Sequence, residues 1–182
     1  MIVKCNIDPH WDSRIEYAIS TTYKNRIRKP ILIQREKSLT RYYGLHGVGN
    51  LNDYIRRPIN IDDNFARFCN HCHDSSFHYI TLSDLGLKEN KHRYDGKAYW
   101  DYKKMYTAEQ RRHPFMVFLT TVLTHELSHA WQHDTGTLRT KYKIIDNDPT
   151  IDDAWREHIT EYDAEKNANG LRPSFYENLL GK

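Results

Sequence analysis

Leu123-Thr124-His125-Glu126-Leu127-Ser128-His129-Ala130-Trp131 is the stretch from which the rest of the chain can be read. It sits inside a longer pattern in which Phe115, Phe118, Leu119, Val122, Leu123, Leu127, Ala130 and Trp131 recur at steps of three and four residues. That period predicts a buried amphipathic helix of about 20 residues. Pro114 suits its first turn and Gly136 its stop. His125 and His129 stand four apart on this helix, so both imidazoles project from one face, about a turn apart, within reach of one Zn²⁺. Glu126 follows the first histidine directly, where its carboxylate can act as general base on a water whose pKa the metal brings toward about 7. The plainer alternative is a pair of core histidines satisfied by ordinary hydrogen bonds.

A catalytic zinc needs a third protein ligand and an open position. A second helix is expected downstream, with Asp148 or Thr150 as its cap, Pro149 near its first turn and Asn169-Gly170 closing it. Arg172-Pro173 is then expected to break the chain, and Ser174 with Glu177 to form a capping box for a short terminal helix. On the second helix Glu157, Glu161 and Glu165 fall at four-residue steps and form a carboxylate stripe, which repels itself unless a cation neutralises it. A solvated acidic face is the competing reading. His133, in step with His125 and His129, and His158 on the second helix offer nitrogen donors instead.

These two segments together resemble the zincin metallopeptidases, and within them the gluzincins. In that group a later helix carries a pattern close to E-x-E-A-D. Glu161-Tyr162-Asp163-Ala164-Glu165 is similar to it, with the acids exchanged at the last two acidic positions. The resemblance implies Glu161 as third ligand and a supporting role for Glu165. HELSHAWQH also looks like the SprT-like proteases, in which the third ligand is a histidine. The metzincin pattern fails, because it wants glycine at Gln132 and histidine at Thr135. The likeness runs from Pro114 to about Gly170 and leaves the first 113 residues unmatched. It implies an α+β, zincin-like fold: a small, mostly antiparallel sheet packed on the motif helix, with an edge strand that receives an extended protein or peptide substrate. A zinc-dependent hydrolysis of peptide bonds is the activity implied. Tyr142, His158, Tyr162 and Tyr176 are candidates for stabilising a developing oxyanion.

The 182 residues suit one domain, a mixed α/β half over 1–113 and a helical zinc-binding half over 114–182. An opening helix is expected around Asp12 to Lys24, where Ile15, Ala18, Ile19 and Thr22 share a face. Ile31-Leu32-Ile33 and Phe77-His78-Tyr79-Ile80 read as strands, and His46-Gly47-Val48-Gly49-Asn50 and Tyr94-Asp95-Gly96 as turns. No apolar run is long enough to span a membrane, and a cytoplasmic location is expected. Cys69-Asn70-His71-Cys72-His73, followed by His78, has donors for a second, structural zinc or for a redox pair, but no second Cys-x-x-Cys follows, and ordinary packing and surface placement is the plainer reading. Lys24, Arg26, Arg28, Lys29, Arg35, Lys37 and Arg41 crowd the N-terminal quarter, with Glu36 interrupting. Such a run is usually a solvated face, but it also allows nucleic-acid contact. A DNA-associated or regulatory zincin, or one acting on a single host protein, is therefore the alternative function.

Overall fold

The computed structural model describes residues 1–37, 44–50, 69, 76–84, 87, 106–136 and 153–181, and of 153–159 the backbone alone. The first three elements form a crossover unit. Strand β1 (Val3–Asn6) leads into helix α1 (Asp12–Thr22), which returns the chain so that β2 (Ile31–Glu36) pairs parallel with β1, Val3 opposite Ile31. Asp12 fixes the entry to the helix, its Oδ1 accepting the N–H groups of Ile7 and Asp8 at 2.9 and 3.0 Å. Ile15, Ala18 and Ile19 supply the buried face of α1 that the sequence period indicates, and the helix ends two residues short of Lys24.

Two further strands complete the sheet, in the order β1-β2-β4-β3. Strand β4 (Ser76–Ser83) lies between β2 and β3 (Gly44–Asn50), parallel to β2 and antiparallel to β3. The expected, mostly antiparallel sheet is therefore corrected: two of the three pairings are parallel. The helical return between β1 and β2 accounts for the first of these, because parallel neighbours require a crossover that a tight hairpin cannot supply. The unbroken apolar run Ile31-Leu32-Ile33, buried throughout, fits a strand covered on both faces. The expected turn at His46-Gly47-Val48-Gly49-Asn50 is likewise strand. Gly47 stands opposite Tyr79, and a Cβ on it would strike the tyrosine ring, so this glycine marks a close approach rather than a bend.

Helix α2 spans Pro114–Thr135, with Pro114 in its first turn and Gly136 closing it at a φ of 63°. Its inner side packs on the sheet and on helix α3 (Asp153–Leu180). Tyr23, fully buried at the end of α1, donates its hydroxyl to the carbonyl of Thr124 at 3.0 Å. One hydrophobic cluster runs from Val3, Ile15 and Ile33 through Phe118 and Leu123 to Phe175 and Leu179, joining both halves of the chain.

Helix α3 departs from its expected form. No stop occurs at Asn169-Gly170 and no break at Arg172-Pro173; one helix carries Pro173 in its interior. A proline there costs about 3 kcal/mol in a helix interior. Burial outweighs it: Ala164, Ala168, Arg172, Phe175, Tyr176 and Leu179 repeat at steps of three, four and one, and all are buried. The expected cap, Asp148 or Thr150, and Pro149 beside it lie outside the described residues, as does Tyr94-Asp95-Gly96.

Candidate metal centre

The pitch of α2 brings His125 and His129 to one face, and α3 crosses that face with Glu161. His125 Nε2 lies 2.9 Å from Glu161 Oε2, His129 Nε2 lies 3.3 Å from Glu161 Oε1, and the two Nε2 atoms are 3.2 Å apart. Four ligands arranged tetrahedrally at about 2.0–2.1 Å from a zinc ion place neighbouring donor atoms roughly 3.4 Å apart. The measured separations match that spacing, so the three side chains form a group able to hold a metal ion. Both rings are also held from behind. His129 Nδ1 is 3.1 Å from Gln132 Oε1, and His125 Nδ1 is 3.4 Å from Glu165 Oε2, so each imidazole directs its Nε2 to the shared point.

Glu165 is itself fixed. Arg172 donates to both of its oxygens, at 2.5 and 2.8 Å, and both side chains are nearly excluded from solvent. The carboxylate that supports His125 is thus anchored two helical turns further along α3, by the residue that precedes Pro173.

Charge follows from this geometry. Burial alone would depress the His125 imidazole, but hydrogen bonds to Glu161 and Glu165, with Glu126 nearby, hold its pKa up at about 9. Burial acts to raise Glu161, yet the two histidines outweigh it and keep this carboxylate well below its usual range. Glu126 is shifted upward: burial is the main cause and Glu161 adds to it, while the two histidines and the backbone N–H of His46 act against it.

Strand β3 closes one side of the centre. A Cβ on Gly44 would lie 2.5 Å from Val122 Cγ1 and 2.9 Å from Glu126 Oε1, so the bare backbone of an outer strand runs directly over the glutamate. His46, two residues on, stacks on His129 with ring centroids 6.4 Å apart, and its Nε2 lies 3.0 Å from His78 Nδ1. Burial, with His78, His129 and His133 close by, lowers the His46 pKa to about 3, which keeps the ring neutral. His78 continues to Asp134, Nε2 to Oδ1 at 2.9 Å. Burial would raise the Asp134 carboxyl, but bonds from His78 and from the backbone N–H groups of Arg28 and Lys29 bring it down to about 2.

The structure thus brings His125, Glu126, His129, Glu161 and Glu165 together. His133 does not join them; it turns toward Asp134 and His78, so Glu161 and not His133 stands nearest the histidine pair. Tyr176 is in the core, its ring 6.3 Å from that of Tyr106, while Tyr162 is exposed. Tyr142, His71, Cys72, His73, Arg41 and the side chains of Glu157 and His158 lie outside the described residues; Cys69 is buried. Within the basic cluster Arg26 lies over the Trp131 ring at 5.5 Å, Arg35 pairs with Asp84, and Lys29 reaches Ser76. His46 and Asp134 were not singled out by sequence reasoning. The isolated glycines at 44 and 47 beside an apolar strand pattern were the available signal for the first, and nothing local marks the second.

No protein-family model, curated protein or solved structure matches the chain significantly. Among the described residues no helix is long and apolar enough to cross a membrane.

Proposed function

We propose that the chain is a zinc-dependent metallopeptidase, with His125, His129 and Glu161 as ligands and Glu126 as general base. The observation that carries this reading is the convergence of donor atoms from three side chains at 2.9 to 3.3 Å, with the buried carboxylate of Glu126 directly after the first of them. A bound zinc ion would supply two things, acidification of a water molecule and polarisation of a carbonyl group.

The remaining work belongs to the protein. Glu126 receives the proton from water at its carboxylate and delivers it to the departing amine nitrogen, and its upward-shifted pKa brings it nearer the pH at which it operates. Glu165 and Gln132 hold the imidazoles in register. The outer strand β3, passing over Glu126 with Leu45 and Val48 exposed, supports an extended peptide laid along its edge, where main-chain hydrogen bonds align a substrate without regard to its side chains.

The test uses zinc-loaded protein and a peptide library of mixed sequence, with new termini scored by mass spectrometry. Glu126→Gln is expected to keep its zinc while losing cleavage by at least about 10²-fold, the lower range for a positioned general base. Cleavage by the variant at the wild-type rate would remove Glu126 from its role, and a protein that binds no zinc would end the reading altogether.

A further inference from the structure

One turn beyond His129 on α2 lies a second set of side chains with metal-binding chemistry. His78 Nε2 stands 2.9 Å from Asp134 Oδ1, His133 Nδ1 lies 3.9 Å from the same oxygen, and all three donor atoms fall within 4.8 Å of one another. The group joins the central strand β4 to the last turn of α2. His78 is fully buried and the Asp134 side chain is 2% exposed, whereas His133, at 45%, stands at the opening to solvent and gives an ion its way in.

Each buried member is prepared for a cation. Asp134 divides its two oxygens: Oδ2 accepts the backbone N–H groups of Arg28 and Lys29 at 2.6 and 3.1 Å, which leaves Oδ1 aimed at His78. Carboxylates held in this way by outer hydrogen bonds make well-aimed single-oxygen ligands. His78 has the matching arrangement on its ring. Without an ion its Nε2–H donates to Asp134; with one bound, its Nδ1, 3.0 Å from His46 Nε2, can carry the proton and donate to it, which turns the Nε2 lone pair toward the metal. The spacing also suits an ion. Tetrahedral ligands at about 2.0–2.1 Å put neighbouring donors roughly 3.4 Å apart, and the two measured separations, 2.9 and 3.9 Å, lie on either side of that value.

We propose that His78, His133 and Asp134 bind a second divalent transition-metal ion, zinc by the two-imidazole, one-carboxylate donor set, and that this ion is structural. It ties the C-terminal turn of α2 to β4 and, through Asp134, to the turn at Arg28 and Lys29. His46, which contacts both His78 and His129, then lies between two metal centres.

The experiment counts zinc per chain by inductively coupled plasma mass spectrometry after dialysis against metal-free buffer. Wild type is expected to hold two ions. His133→Ala, which removes an exposed side chain, and Asp134→Asn, which keeps an oxygen for the two amides, should each hold one. His129→Ala should also hold one, through loss of the other centre, and His129→Ala/His133→Ala close to none. Cys72→Ala should keep two. Thermal unfolding supplies a second reading: His133→Ala should melt below wild type when zinc is present and alike when both are stripped. A count unchanged in both His133→Ala and Asp134→Asn, a fall confined to Cys72→Ala, or a wild-type count of one that His129→Ala abolishes and His133→Ala does not would overturn the proposal. None of these counts depends on whether peptides are cleaved.

Discussion

Replacing Arg172 by methionine keeps an aliphatic side chain of similar reach in the core of α3 and removes one charge. The loss leaves the Glu165 carboxylate, 8% exposed, without the two hydrogen bonds at 2.5 and 2.8 Å that neutralise it. Breaking a buried pair from one side costs about 3–5 kcal/mol, because a desolvated charge is left behind. For a chain of this size each kcal/mol moves Tm by about 2–4 °C, so a fall of roughly 6–20 °C is expected. Removing the second charge as well, in Arg172→Met/Glu165→Gln, should restore most of that loss, since the neutral amide has far less to lose by burial. Calorimetry on metal-stripped protein is the suitable assay, because a bound ion adds stability by mass action and would mask the effect. If Arg172→Met lies within about 1 kcal/mol of wild type, the pair has the worth of an exposed surface bridge. If the double variant is as unstable as the single one, the loss comes from packing. Either result would refute the reasoning.

Gly44→Ala would force a methyl group to 2.5 Å from Val122 and 2.9 Å from Glu126, so β3 or the glutamate must shift; with zinc content unchanged, kcat/KM should fall about 10²-fold, the cost of misplacing a catalytic group by about an ångström, and a wild-type rate would show that the strand gives way freely. Metal-stripped protein should be most stable near pH 6.5. The His46 pKa is lowered from 6.5 to about 3 on folding, so stability declines as pH falls through that window, whereas His125 is raised from 6.5 to about 9, so its contribution is full below 6.5 and lost as pH rises through 9. A Tm that goes on rising from pH 6.5 to 9 in chelator would contradict the His125 shift, and one that does not fall from pH 6.5 to 5 would contradict the His46 shift. At pH 7 zinc uptake must expel the His125 proton, so titration calorimetry in buffers of different ionisation enthalpy should record about one proton released per ion at this centre; binding enthalpies independent of buffer would show a neutral ring beforehand.

Helix α2 was legible to the residue because three signals agreed along it: apolar spacing, a proline at the first turn and a glycine at the stop. The pairing of His125 with His129 was legible for the same reason, since i and i+4 positions on a helix have a fixed relation in space. Glu161 was picked out only through the resemblance of its segment to E-x-E-A-D, and the structure places it beside the pair. Signals that compete locally were harder to read. Pro173 and Gly170 both speak against a continuous helix, and only the burial of Arg172 on Glu165, with Phe175 and Tyr176 following, decides otherwise. Gly44, Gly47 and Gly49 suggest a turn until Tyr79 is known to cover Gly47. The parallel pairing of β1 with β2 could have been inferred from two apolar runs flanking a helix, but the position of β4 between β2 and β3 is a non-local choice that no window of sequence reports. Asp134 is invisible for a related reason: its partners, Arg28, Lys29 and His78, lie far from it along the chain.

The insertion of β4 between two strands made earlier has a bearing on biosynthesis. As the polypeptide leaves the ribosome, β3 emerges with no hydrogen-bonded neighbour among the described strands until β4 follows, and the glutamate it covers comes later still, on α2. Glu161, the proposed third ligand, arrives later, and Arg172, which anchors Glu165, later still. A growing chain therefore holds a lone strand and two histidines but no complete cage for an ion. Under the proposed activity, the site stays incomplete until translation has passed residue 172, well after its strand and its histidine pair have been made.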